Sequence, residues 1–133
     1  MRKLALTASV LLFVLAGSTA QAENYGGMSI KYQQQIERGV HAWFDQVGAA
    51  SRFICVIRHE SGYNPTAFND DDFPVVRYGL FQITWPTWAV GPARGLSRDQ
   101  FKYWLYKPVN NFRLALWMYR NVGGLRQWSG TGC

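Results

Sequence analysis

The chain is poor in acids. Eight Asp and Glu stand against fourteen Lys and Arg in 133 residues, so any carboxylate chemistry has few candidates. Two Cys and two distant His are too few for a zinc site, and neither a metal nor a cofactor is expected. No internal repeat or low-complexity tract is present, which leaves an ordinary globular domain. The basic residues form no run or stripe, so a nucleic-acid partner is not expected. Their excess reads instead as a general attraction to an acidic envelope.

Long hydrophobic runs are also scarce. The one that exists, residues 4–16, is too short for a permanent transmembrane anchor. It follows Arg2 and Lys3 and precedes Ala20-Gln21-Ala22, the small-x-small pattern of a cleavable export signal. Residues 1–22 are therefore expected to be a signal peptide, with a mature domain over 23–133. Leu15-Ala16-Gly17 is followed by Ser18 rather than Cys, so no lipid anchor is expected. Without the leader the chain keeps twelve Lys and Arg against the eight acids, a net charge of +4. That length supports one domain, expected to be monomeric. Export to the periplasm or beyond also favours a disulfide between Cys55 and Cys133 over two free thiols.

What the chain has in quantity is aromatic residues, and all six Trp lie after the leader. Ile36, Val40, Trp43, Phe44 and Val47 fall on one face of a helix opened by Ser29 and closed by Gly48. Phe53 and Ile57 give a second helix its stripe, from about Ala50 to Glu60. Val75-Val76 and residues 80–83 are short β-type runs flanking Arg77 to Gly79, expected to form a small hairpin. Thr84 and Pro86 predict a short helix carrying Trp85 and Trp88. Ser97-x-x-Gln100 is a capping box opening a helix to about Leu105. Pro108 opens the last long helix, with Val109, Phe112, Leu116 and Tyr119 on its apolar stripe, and Gly123-Gly124 stops it. The fold class is α+β, mostly helical.

Elimination narrows the acids. Glu37, Asp45 and Asp99 fall on polar helix faces, where solvated charge is the plain reading. Glu60 differs, because it lies seven residues after Phe53 and three after Ile57 and so continues the apolar stripe. Desolvation there raises a carboxyl pKa and favours the neutral acid, which can protonate a glycosidic oxygen. On spacing alone the alternative stays open: a helix-end Glu that reaches water or pairs with Arg58 or His59.

Residues 60–67, Glu-Ser-Gly-Tyr-Asn-Pro-Thr-Ala, resemble the E-S-G-x-N-P-x-A signature of bacterial lytic transglycosylases, which are related to goose-type lysozyme. Gly79-Leu80-Phe81-Gln82-Ile83 is similar to the family's G-L-x-Q-[IL] segment, and Trp88 fits the aromatic that follows it. Pro108-Val109-Asn110-Asn111-Phe112 is a weaker match to its P-x-x-N-[IL] block. The resemblance implies a lysozyme-like fold with a glycan cleft and Glu60 as the catalytic acid. It implies contacts to substrate from Ser61, Tyr63, Gly79, Gln82, Trp88, Asn111 and Tyr119. Gly79 is expected to let a sugar lie against the backbone. The family's Y-N-A-G block is missing after the last helix, which leaves Tyr119 or Trp128 as the aromatic supporting Glu60.

The second departure from the pattern is an acidic insert. Asp70, Asp71 and Asp72 follow Glu60 by ten to twelve residues. If one crosses the cleft, a two-carboxylate hydrolase results. If none does, Glu60 works alone as a transglycosylase, leaving a 1,6-anhydro-muramyl end. The one-carboxylate reading is preferred. The partner is then peptidoglycan, either free or attacked beside an envelope-spanning secretion or phage machine. A wall-binding module or secretion-system part that has lost catalysis is the reading from another class.

Overall fold

The computed structural model describes residues 27–133; the expected leader and the cleavage site before Glu23 lie outside them. Helix α1 runs Ile30–Phe44. Its Ser29 cap accepts a hydrogen bond from the Tyr32 N–H, satisfying one orphan donor of the first turn. The helix is shorter than its apolar pattern predicts: residues 45–47 tighten into a 3-10 turn, and Gly48 closes it at φ 64°. Helix α2, Ala50–Glu60, matches its predicted limits.

A three-stranded antiparallel sheet follows, with β1 Phe68–Asn69, β2 Val76–Tyr78 and β3 Ile83–Trp85 in sequential order. Tyr78 pairs with Phe68 on one side and with Ile83 on the other. Two expectations are corrected here. Leu80 and Phe81 are fully buried in the turn between β2 and β3 rather than in a strand. Thr84 and Trp85 are the end of β3 and not the start of a helix, because Trp85 is held by its pairing with Val76. The chain then makes one turn, with the Trp88 N–H on the Thr84 carbonyl, and a 3-10 turn at Gly91–Ala93.

Helix α3, Arg98–Leu105, carries both halves of the capping box between Ser97 and Gln100. Helix α4, Pro108–Asn121, buries Asn111, Phe112, Leu114, Ala115 and Met118, while Val109 at its head is exposed. The tail, expected as loop, contains a 3-10 segment at Arg126–Thr131. No helix among the described residues is long and apolar enough to cross a membrane.

The aromatic content goes into the core. Phe53 of α2 stacks on Phe44 of α1 at 4.0 Å between ring centroids and meets Phe81 and Trp128 edge-on at 5.3 and 5.5 Å. Such pairs add about 0.5–1.5 kcal/mol each beyond burial. Helix α1 packs on both α2 and α4, and the sheet turn meets α2 through Phe81 against Phe53. Cys55 and Cys133 form a disulfide with Cα atoms 5.8 Å apart, tying the tail to α2. Closing a 78-residue separation stabilises the fold by about 4 kcal/mol in the chain-entropy model.

Candidate functional site

Glu60 ends α2 on the edge of the stripe that buries Phe53, Val56 and Ile57. The helix therefore delivers its carboxyl to the rim of the core, where it is half-buried. A cavity of about 290 Å³ opens in front of it, walled by Arg77, Gln82 and Thr84 from the sheet side, and by Trp88 and Trp128. Burial raises the Glu60 pKa above the ordinary carboxylate value, opposed by the positive charge of Arg77 and then of His59.

The chain leaves α2 through an unusual turn. Ser61 caps the helix, its N–H and its hydroxyl both donating to the Ile57 carbonyl, at 3.1 and 3.2 Å. Gly62 and Tyr63 then take left-handed φ values of 55° and 67°. A bulky side chain in that region costs on the order of 1 kcal/mol and persists only when its surroundings hold it. The Tyr63 hydroxyl donates to the Glu37 carboxylate and accepts from Arg58, which provides that hold. Tyr63 is 1 % exposed and offers no face to a sugar; it fastens the end of α2 to α1 instead. Glu37, expected to be solvated, is the anchor on α1.

On the opposite side, Gly79 adopts φ 75° in the turn that carries Gln82. A Cβ there would lie 2.1 Å from Asn111 Nδ2 and 3.0 Å from the Leu105 carbonyl. The space beside Gly79 is thus filled by protein, which corrects the expectation that a sugar occupies it. Asn111 is fully buried. Its amide donates to the Leu105 carbonyl and accepts from the Phe81 N–H, clamping α3 and α4 to the turn. Asn111 is therefore no sugar contact. Gln82, itself at φ 49°, donates through Nε2 to the Gly79 carbonyl at 3.0 Å, which fixes the side chain at the cavity wall.

Trp128 lines the Glu60 cavity, whereas Tyr119 packs edge-on to Phe53 and faces a second hollow of about 450 Å³ that shares Trp128. Asp70, Asp71 and Asp72 lie on the exposed loop between β1 and β2. None of the three lines the cavity, and Asp72 pairs with Arg77 at 2.6 Å. Cys55, His59 and Cys133 have ligand atoms within 4.8 Å of one another, but both sulfurs are spent in the disulfide.

Arg77, Thr84, Thr87 and Gln127 line the cavity and were not singled out in the sequence. Arg77 had a usable signal: Val76 and Tyr78 are buried on one face of β2, so the period of two turns Arg77 to the other. Thr87 and Gln127 had none, since each is brought in by a turn.

The family model for the transglycosylase SLT domain matches residues 46–128. The chain belongs to this family. The match runs from the end of α1 to Trp128 and contains every residue that lines the Glu60 cavity. No solved structure matches the chain. Membership in the SLT family supports lytic transglycosylase activity in general, with peptidoglycan as the implied substrate. In an SLT domain, a half-buried acid facing amide and hydroxyl groups across an open cavity has the chemistry to protonate a glycosidic oxygen while the sugar's amides and hydroxyls are hydrogen-bonded.

Proposed function

We propose that the protein is a peptidoglycan lytic transglycosylase that cleaves the β-1,4 bond between MurNAc and GlcNAc with Glu60 as its one catalytic carboxyl. Protonated Glu60 gives its proton to the leaving GlcNAc O4 as the bond to MurNAc C1 breaks. The carboxylate then takes the proton of the MurNAc 6-hydroxyl, whose oxygen attacks C1 and closes the 1,6-anhydro ring. Glu60 ends protonated, and no water is consumed. Gln82 and Trp88 are the proposed glycan contacts of the cleft walls, and Ser61 orients the end of the Glu60 helix.

One observation carries this reading: among the described residues lining the cavity, Glu60 is the single carboxylate, and it is half-buried. A hydrolase of the two-carboxylate type needs a second acid across the cleft. Of the acidic insert, Asp72 is engaged with Arg77, and none of the three aspartates lines the cavity. The proposed setting is outside the cytoplasm, with residues 1–22 as an export signal, which the disulfide fits.

Mass spectrometry of muropeptides released from purified wall tests the reaction. Products one water lighter than hydrolysis products, with anhydro-muramyl ends, are expected. Reducing ends would overturn the transglycosylase reading in favour of a lysozyme. Binding to wall without any release would favour a non-catalytic wall-binding component of a secretion or phage machine.

A further inference from the structure

Among the described residues, Arg77 is the one Lys or Arg lining the Glu60 cavity. It comes from the centre of β2, paired across the sheet with Asn69 and Thr84, so its backbone is fixed on both sides. Its guanidinium is met from the outside by Asp72, Nη2 to Oδ2 at 2.6 Å. The acidic loop is built to present that carboxylate. The Asp71 N–H donates to Asn69 Oδ1, the Phe73 N–H to the Asp70 carbonyl, and the Val75 N–H to the Asp72 carbonyl, making consecutive reverse turns.

The pair is a poor stabiliser. The Asp72 side chain is 61 % exposed and that of Arg77 32 %, so solvent screens most of their attraction. The consequence falls on the cavity instead. A guanidinium beside a carboxyl favours the ionised form, which is the wrong form for a proton donor.

We propose that Asp72 is a positioning residue for the catalytic site: its carboxylate engages the single guanidinium lining the cavity and so limits the positive charge that Glu60 meets. This rests on the reading of Glu60 as the acid. Asp72 then contributes to the reaction without entering the cleft, and the acidic insert has a function other than that of a second catalytic carboxylate. The charged groups bearing on Glu60 are Arg77 from β2 and His59 from its own helix. The remaining cavity walls, among them Gln82, Thr84, Trp88 and Trp128, carry no charge.

The test is a cycle of Asp72→Asn, Arg77→Gln and the double variant, each read twice. One reading is the Glu60 carboxyl titration by carbon NMR, and the other is the pH profile of wall clearance. Asp72→Asn releases the guanidinium, so the Glu60 titration and the activity limb move to lower pH, with clearance at a fixed pH on that limb falling about threefold. Arg77→Gln moves both to higher pH. The double variant follows Arg77→Gln. An unchanged titration in Asp72→Asn overturns the proposal. So does an equal downward shift when Asp72→Asn is added to Arg77→Gln, since Asp72 would then act directly and not through Arg77. The NMR reading needs no activity. A shifted titration in a protein that never cleaves wall would sink the proposed function and leave the Asp72–Arg77 coupling standing.

Discussion

The indole N–H of Trp128 donates to the Phe81 carbonyl at 2.8 Å, across 47 residues of chain. This one bond fastens the tail to the turn that carries Gln82, next to Glu60. Trp128→Phe keeps an aromatic ring in the cluster with Phe53 and Phe81 but removes the donor. A buried carbonyl left without its partner costs about 1–3 kcal/mol. The expected result is a lower denaturant midpoint with an unchanged slope. Wall clearance should also fall, because the Gln82 turn loses its brace. An unaltered midpoint would show that the bond contributes nothing to stability.

Gly79→Ala should be among the most damaging single substitutions. The added methyl group would meet the Asn111 amide at 2.1 Å and the Leu105 carbonyl at 3.0 Å, at a backbone φ of 75°. Strain of this kind combined with overpacking costs about 2–4 kcal/mol. Shortening Asn111 in the same chain removes the first clash only. The double variant Gly79→Ala/Asn111→Ala is thus expected to stay well below the parent in thermal unfolding, because the φ penalty and the Leu105 carbonyl remain and the clamp itself is lost.

The helices were legible because they are specified locally. Ser29, the Ser97–Gln100 box and Gly48 are read from residue type and spacing, and α2 matches its predicted ends. The half-buried place of Glu60 follows from its phase with Phe53 and Ile57, whereas its reading as the catalytic acid came from the resemblance of residues 60–67 and not from spacing. The hairpin was legible in kind but not in its limits, because tertiary contacts decide those. Residues 80–83 have β-type composition, yet Asn111 and Trp128 hold Phe81 in a turn from elements about thirty and forty-seven residues away. Tyr63 and Asn111 are named as sugar contacts only because they stand in the blocks that carry the resemblance. Their side chains turn inward, Tyr63 to the half-buried Glu37 carboxylate and Asn111 to the buried Leu105 carbonyl.

The disulfide should matter for stability and not for chemistry. Neither Cys55 nor Cys133 lines the Glu60 cavity. Replacing both with Ser is expected to lower stability by about 2–5 kcal/mol. The carbonyl of Cys133 also accepts from Arg52 Nε at 3.0 Å, so some of the tail's docking survives the change. Thermal unfolding with and without reductant checks this: the parent should drop to the level of the double Ser variant on reduction. Below the unfolding temperature, wall clearance should persist in both.

Glu60 itself sets site function against stability. Burial raises its pKa in the folded chain, so the unfolded chain gives up that proton more readily. The stability tied to the protonated group is fully present below the unfolded carboxyl pKa and is lost as pH rises through the folded value. Above its own titration the folded protein therefore holds an ionised carboxylate where its surroundings disfavour charge. Glu60→Gln removes that ionisation while keeping shape and hydrogen-bonding capacity. Its expected melting temperature exceeds the parent's at pH values above the titration of Glu60, and the difference shrinks as the pH is lowered through it. Wall clearance should fall by about 10²–10⁴-fold in the same variant, the range for loss of a positioned acid–base group. In the parent, clearance should decline as pH rises through the Glu60 pKa, because only the protonated form can give its proton to the leaving oxygen. A Gln variant that is inactive but no more stable at any pH above that titration would mean that the carboxylate is well solvated in the folded state, and the raised pKa would have to be abandoned.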